Sequence, residues 1–162
     1  MKTLHSMKST LALLLFLICS LSFGQVSGPV VITLTVDTSQ LGDDSNAPGG
    51  CTLTATPASV VVPGDSDPKM FTIQVEDGTD LEWEGITQDG EEVKIKKIGF
   101  IKGINIFDSR NIFGRINDGK EKVNAKIKRK TAPGLDYEYL IEFKIKGFGK
   151  YTLDPKIKVG GQ

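Results

Sequence analysis

Through most of the chain beyond residue 29 the apolar side chains fall at every second position, the period of a strand with one buried face. The last regular stretch shows this best. Tyr137, Tyr139, Ile141, Phe143 and Ile145 share one face of a predicted strand over 136–146, and Tyr151, Leu153, Ile157 and Val159 share one face of the next, 150–159. Gly147-Phe148-Gly149 lies between them. A three-residue turn there pairs Ile145 with Tyr151, Phe143 with Leu153, Tyr139 with Ile157 and Tyr137 with Val159, apolar against apolar. A two-residue turn would slip the ladder by one and set each against a charge, so parity selects the odd loop, with Gly149 left-handed. The same register sets Glu142 opposite Asp154, with Lys144 and Lys156 on the diagonals. Pro155 cannot donate to a ladder, so the last strand is an edge, is bulged or changes sheets there.

Earlier segments repeat the pattern. Residues 29–37 read as a strand with Val30, Ile32, Leu34 and Val36 on one face and Val31, Thr33 and Thr35 on the other, which suits cover on both sides. Residues 38–50 are a Gly/Asp-rich loop. Short strands follow at 51–56 and 58–62, broken by Pro57, then at 70–76 with Phe71, Ile73 and Val75 inward, and at 81–84 around Trp83. Val93 and Ile95 alternate with Lys94 and Lys96. Residues 98–113 are less regular, and their echo, Asn105-Ile106-Phe107 and Asn111-Ile112-Phe113, reads as two apolar anchors of a loop crossing between sheets. Residues 122–130 form a strand with Val123, Ala125 and Ile127 inward and a basic outer face. Asp77-Gly78, Asp89-Gly90 and Asn117-Asp118-Gly119 supply turns. No segment holds a helical period over ten residues. The expectation is an all-β chain, an antiparallel β-sandwich of about 8–9 strands with no helix beyond the leader, in which 25–50 and 51–162 form a single domain.

Two local likenesses refine this. Val60-Val61-Val62 followed by Pro63-Gly64-Asp65-Ser66, within 57–68, resembles the opening of secreted immunoglobulin-like modules, which implies an immunoglobulin-like or cupredoxin-like sandwich. Tyr151-Thr152-Leu153-Asp154-Pro155-Lys156-Ile157 is similar to the C-terminal strand of the DP-EP family, compact β-domains. That match covers one strand, no Glu-Pro follows Asp154-Pro155, and it implies no activity.

Residues 1–24 have the make-up of a secretory signal peptide: Lys2 and Lys8, an apolar run over 11–17, and small Ser22 and Gly24 at the positions read for cleavage, placed after Gly24. Ile18 ahead of Cys19 disfavours a lipid anchor there. No stretch reaches the ~20 apolar residues of a transmembrane helix. The expected location is the periplasm or the secreted fraction. The mature chain would hold 162 − 24 = 138 residues, enough for one unstapled core. It would keep Cys51 as its sole thiol and, with His5 gone, no histidine. That removes Ser-His-Asp and Cys-His catalysis, histidine-ligated zinc and blue copper.

Charge separates along the sequence. Residues 25–92 carry thirteen acids and one base (−12), and residues 93–162 carry seventeen bases and seven acids (+10). Either outward faces pair across neighbouring strands, or the molecule is polarised and self-associates through its charge asymmetry. Glu82/Glu84, Glu91/Glu92 and Glu142/Asp154 are the carboxylate pairs open to hydrolytic work, without the aromatic-lined cleft that glycosidases use. Asp37, Asp43 and Asp44 are oxygen-rich calcium candidates, off the spacing of an EF-hand. Lys126, Lys128 and Lys130 suit an anionic polysaccharide, and Trp83 a ligand platform or a core plug; nucleic acid is not expected, because no aromatics interleave the lysines. The functional expectation is a non-catalytic exported binding or structural module of the bacterial envelope or secreted fraction, without cofactors, engaging an unknown protein or an anionic polysaccharide. The alternative is a carbohydrate-binding or adhesin-type domain, calcium-assisted.

Overall fold

The computed structural model describes residues 28–64 and 67–160; the expected leader lies outside them. Two mixed sheets face each other. The first runs β2-β1-β4-β8-β7, from β1 (Val30–Val36), β2 (Cys51–Thr56), β4 (Asp80–Thr87), β7 (Arg115–Asn117) and β8 (Lys120–Lys126). The second runs β3-β11-β9-β5-β6, from β3 (Thr72–Val75), β5 (Val93–Lys102), β6 (Asn111–Phe113), β9 (Tyr137–Ile145) and β11 (Lys156–Val159), with β10 (Gly149–Leu153) also on β9. Alternation decides the faces. Val30, Ile32, Leu34 and Val36 of β1, Leu81 and Trp83 of β4, and Tyr137, Tyr139, Ile141, Phe143 and Ile145 of β9 enter one continuous core. The sandwich-like all-β architecture expected from the period is therefore present, in more and shorter strands. The only helical backbone among the described residues is two single 3-10 turns, Thr38–Gln40 and Ala58–Val60. The second replaces the strand expected over 58–62, of which only Val61 pairs, with Ile73.

Two corrections concern what a period of two cannot encode. First, strand direction: β1 runs parallel to β4 and β11 parallel to β3, whereas all pairs were expected antiparallel. Second, register. The closing loop is odd, as parity requires, but it is Lys146-Gly147-Phe148, with Gly147 at φ +86°. Tyr151 thus faces Phe143, Leu153 faces Ile141 and Ile157 faces Tyr137, each two positions from the expected partner. A shift of two keeps every apolar residue inward, so the pattern alone cannot separate the two registers. Glu142 consequently faces Thr152, not Asp154.

At Pro155 the strand changes neighbours while keeping its register on β9. The Tyr139 N–H donates to the Pro155 carbonyl (3.1 Å), and immediately beyond it the Lys156 N–H donates to Phe71, where β3 joins the other side. Residues 98–113 were expected to be a loop. Instead β5 continues to Lys102, and irregularities between Ile95 and Lys97 and between Phe100 and Lys102 shift its phase, which hides the alternation. Of the echo, Ile106 and Phe107 are buried anchors, whereas Asn111-Ile112-Phe113 forms β6. The chain then crosses from the second sheet to the first at Gly114. Its N–H donates to Lys96 (2.8 Å), and a Cβ there would run into the Ile95 carbonyl.

Candidate functional site

Trp83 lies in the core at 1% exposure, so it is the plug and offers no ring to a ligand in solution. Its indole N–H donates to the Tyr139 hydroxyl (3.2 Å), and it meets Phe107 and Tyr139 edge to face. Tyr139 in turn stacks on Tyr137, and Tyr137 on Phe100, over which the Arg110 guanidinium sits at 4.6 Å. Burial pushes both tyrosine hydroxyls well above the ordinary phenol range. No polar group among the described residues reaches the Tyr137 hydroxyl.

The acidic loop is organised by its own hydrogen bonds. Asp37 caps the turn at Thr38–Gln40: Oδ1 accepts from the Ser39 hydroxyl (2.6 Å) and backbone N–H (3.0 Å), and Oδ2 accepts from the Gln40 amide (2.6 Å). These bonds hold its carboxyl below the usual carboxylate range. Asp44 accepts from the Asn46 N–H. Asp37, Asp43 and Asp44 are not gathered into a cation cage: among the described residues no cluster of three His, Cys, Asp or Glu side chains is set to hold a metal ion.

On the sheet faces the carboxylates are matched to lysines across strands. Lys122 of β8 reaches both Glu82 (2.7 Å) and Glu84 (3.0 Å) of β4, and those two hydrogen bonds raise its pKa. On the other sheet Glu142 is bracketed by Lys97 (3.4 Å) and Lys150 (3.1 Å), and Glu138 by Lys102 and Lys156. Burial raises the Glu142 carboxyl, but Lys150 and Lys97 outweigh it and leave the group below its ordinary value. Glu121 takes Lys96 at 2.5 Å. The carboxylate pairs open to hydrolytic work in the sequence are therefore separated or tied to ammonium groups. Among the described residues four ion pairs, those of Glu82, Glu84, Asp80 and Glu92, join the acidic to the basic half of the sequence.

The basic segment is differently placed than expected. β8 stops at Lys126, and residues 127–130 leave it to knit one end of the sandwich. Ile127, buried, donates its N–H to Thr79, and Lys128 donates to Ile106. Arg129 donates to the Phe107 carbonyl (2.6 Å) and meets Asp108 (3.3 Å). Lys126 has an exposed partner, Asp80, at 3.6 Å. Lys128 and Lys130 are exposed and have no acidic partner among the described residues. Sequence reasoning named these lysines but missed Arg129, whose role depends on the Phe107 carbonyl 22 residues away.

Cys51 is buried and free, and burial raises its thiol to about 11. Grooves open on the surface of the described residues. One of ≈ 1040 Å³ lies between Val60–Pro63 and the β3–β4 turn; one of ≈ 730 Å³ is lined by Thr87, Glu91, Glu92, Lys94, Lys146 and Phe148.

No family model matches the chain, and no curated protein matches it. Among solved structures it is similar to the inclusion body protein PixA of Burkholderia cenocepacia J2315, with a TM-score of 0.63 at 11% identity over 87% of this chain and 100% of that one. That likeness concerns the fold.

Proposed function

We propose that this chain is a non-catalytic binding or structural module, exported as its leader composition suggests, that engages an anionic polymer through the end carrying Lys126, Lys128 and Lys130. The observation that carries the reading is the contrast in charge pairing. Glu82, Glu84, Glu121, Glu138 and Glu142 are each held by a lysine on the sheet faces, whereas Lys128 and Lys130 stand exposed and unopposed beside the clamped Arg129. Two exposed lysines without an acidic partner among the described residues, next to Lys126 and Arg129, attract polyanions without a preformed pocket. The carbohydrate-binding or adhesin alternative loses ground, since its one tryptophan platform is in the core. The sandwich itself is read as immunoglobulin-like or cupredoxin-like, from two face-packed sheets with mixed pairing; the DP-EP likeness extends over one strand only. A structural role also accords with the name of the similarly folded PixA, an inclusion body protein.

The test is retention on immobilised anionic and neutral polysaccharides. The reading predicts retention on the anionic matrix that falls as salt shortens the screening length to ~3 Å near 1 M, and loss of most of it in Lys128→Glu/Lys130→Glu. Equal behaviour on the neutral matrix, or a double variant that binds as the parent does, would sink it.

A further inference from the structure

The geometry points to β2 as a docking edge for a second copy of this chain, the two β2 strands pairing antiparallel about a two-fold axis at Leu53. Independent of the basic end, this rests on how differently the sheet edges are finished. β6 and β7 are three residues each, and β7 carries Arg115. β3 is covered on its outer side where the Val62 N–H donates to Thr72 (2.9 Å). β10 carries Lys150, and its Thr152 N–H donates to Ser45 (2.8 Å). Those are the usual ways of blunting an edge. β2, Cys-Thr-Leu-Thr-Ala-Thr, has six residues without a charge or a proline, and among the described residues it pairs only with β1.

The phase of its ladder shows what the edge presents. The Asp37 N–H donates to the Gly50 carbonyl (2.8 Å), so Thr52, Thr54 and Thr56 bond β1, and Cys51, Leu53 and Ala55 aim their N–H and C=O groups away from the sheet. A second β2 laid antiparallel with Leu53 on Leu53 sets Cys51 against Ala55 in both directions. All three facing pairs are then of the hydrogen-bonded kind, each exchanging two backbone bonds. On the outer face Thr52 meets Thr54 of the other copy twice, a favourable cross-strand pair. Cys51, Leu53 and Ala55 stay on the core side, buried already at 7–8% exposure. The strand is thus complementary to itself, the condition for an isologous interface and for edge-to-edge addition. The result is one ten-stranded sheet through both copies, five from each.

Sedimentation velocity across a concentration series tests this, because Thr52 and Thr54 are exposed and can be replaced without opening the core. The parent should show a monomer–dimer equilibrium. Thr52→Lys/Thr54→Lys sets lysine against lysine at both outer pairs and should raise the dissociation constant about tenfold or more, with an unchanged melting temperature at low concentration. Thr52→Lys/Thr54→Glu sets lysine against glutamate in the same register and should restore dimerisation. A parent that stays monomeric throughout the series overturns the inference. So does a lysine pair that dimerises like the parent, or a charge-swapped pair no better than the lysine pair.

Discussion

Tyr137 and Tyr139 sit two residues apart on β9, stack on one another and differ in one respect: the Tyr139 hydroxyl accepts the Trp83 N–H, and the Tyr137 hydroxyl has no partner among the described residues. Removing the Tyr139 oxygen orphans a buried indole N–H, a penalty of ~1–3 kcal/mol, whereas removing the Tyr137 oxygen removes an uncompensated buried hydroxyl. Urea unfolding should therefore find Tyr139→Phe destabilised by that amount and Tyr137→Phe neutral or more stable, both with an unchanged slope. Equal losses in the two variants would contradict the hydrogen-bond assignment. At this scale the sequence was informative about position and less so about role. The alternation around Leu81-Glu82-Trp83-Glu84 put the indole on the apolar face, but its partner comes from a strand 56 residues later. The acids of the Asp37–Asp44 loop looked like ligands because composition counts oxygens, not the local N–H groups that engage them.

Among the elements, the crossing segment formed by β6, Gly114 and β7 joins the two sheets and depends on backbone contact. A side chain at Gly114 meets the Ile95 carbonyl, which belongs to a strand fixed on both sides; one at Gly147 meets open space and suffers only its left-handed φ of +86°. Gly147→Ala should accordingly cost ~1 kcal/mol and Gly114→Ala at least twice that. The order of the two midpoints in a denaturant series checks this, and a Gly114→Ala protein as stable as Gly147→Ala would mean the crossing is looser than described. Strands whose phase is unbroken, β1, β2, β4 and β9, were legible from their period. The crossing was not. The irregularities of β5 shift its phase, and β6 and β7, at three residues each, are too short to show a period at all. Register behaved in the same way: two ladders offset by two residues bury identical side chains, and turn geometry chose between them.

For the molecule as a whole, the split of charge along the sequence is partly offset on the faces and persists at the end carrying residues 127–130. β4 and β8 bring acidic and basic halves side by side, and Lys122 there is shared by two glutamates. Within the basic half, Glu138 and Glu142 each take two lysines. Residues 127–130, leaving the sheet to tie down Thr79, Ile106 and Phe107, carry their positive charge to where no carboxylate of the described residues answers Lys128 or Lys130. Cross-strand pairing was foreseeable from lysines at every second position; the uncompensated end was not, since β8 was expected to run on to residue 130. The proposed function requires a polyanion to land at that end. A titration of the ¹⁵N-labelled chain with an anionic polysaccharide, followed amide by amide, reads this out directly. The shifts should concentrate at Lys126–Thr131 and the adjoining Ile106–Asp108 turn and reverse on adding salt; shifts confined to the Lys97–Glu142–Lys150 face, or none at low salt, would contradict it.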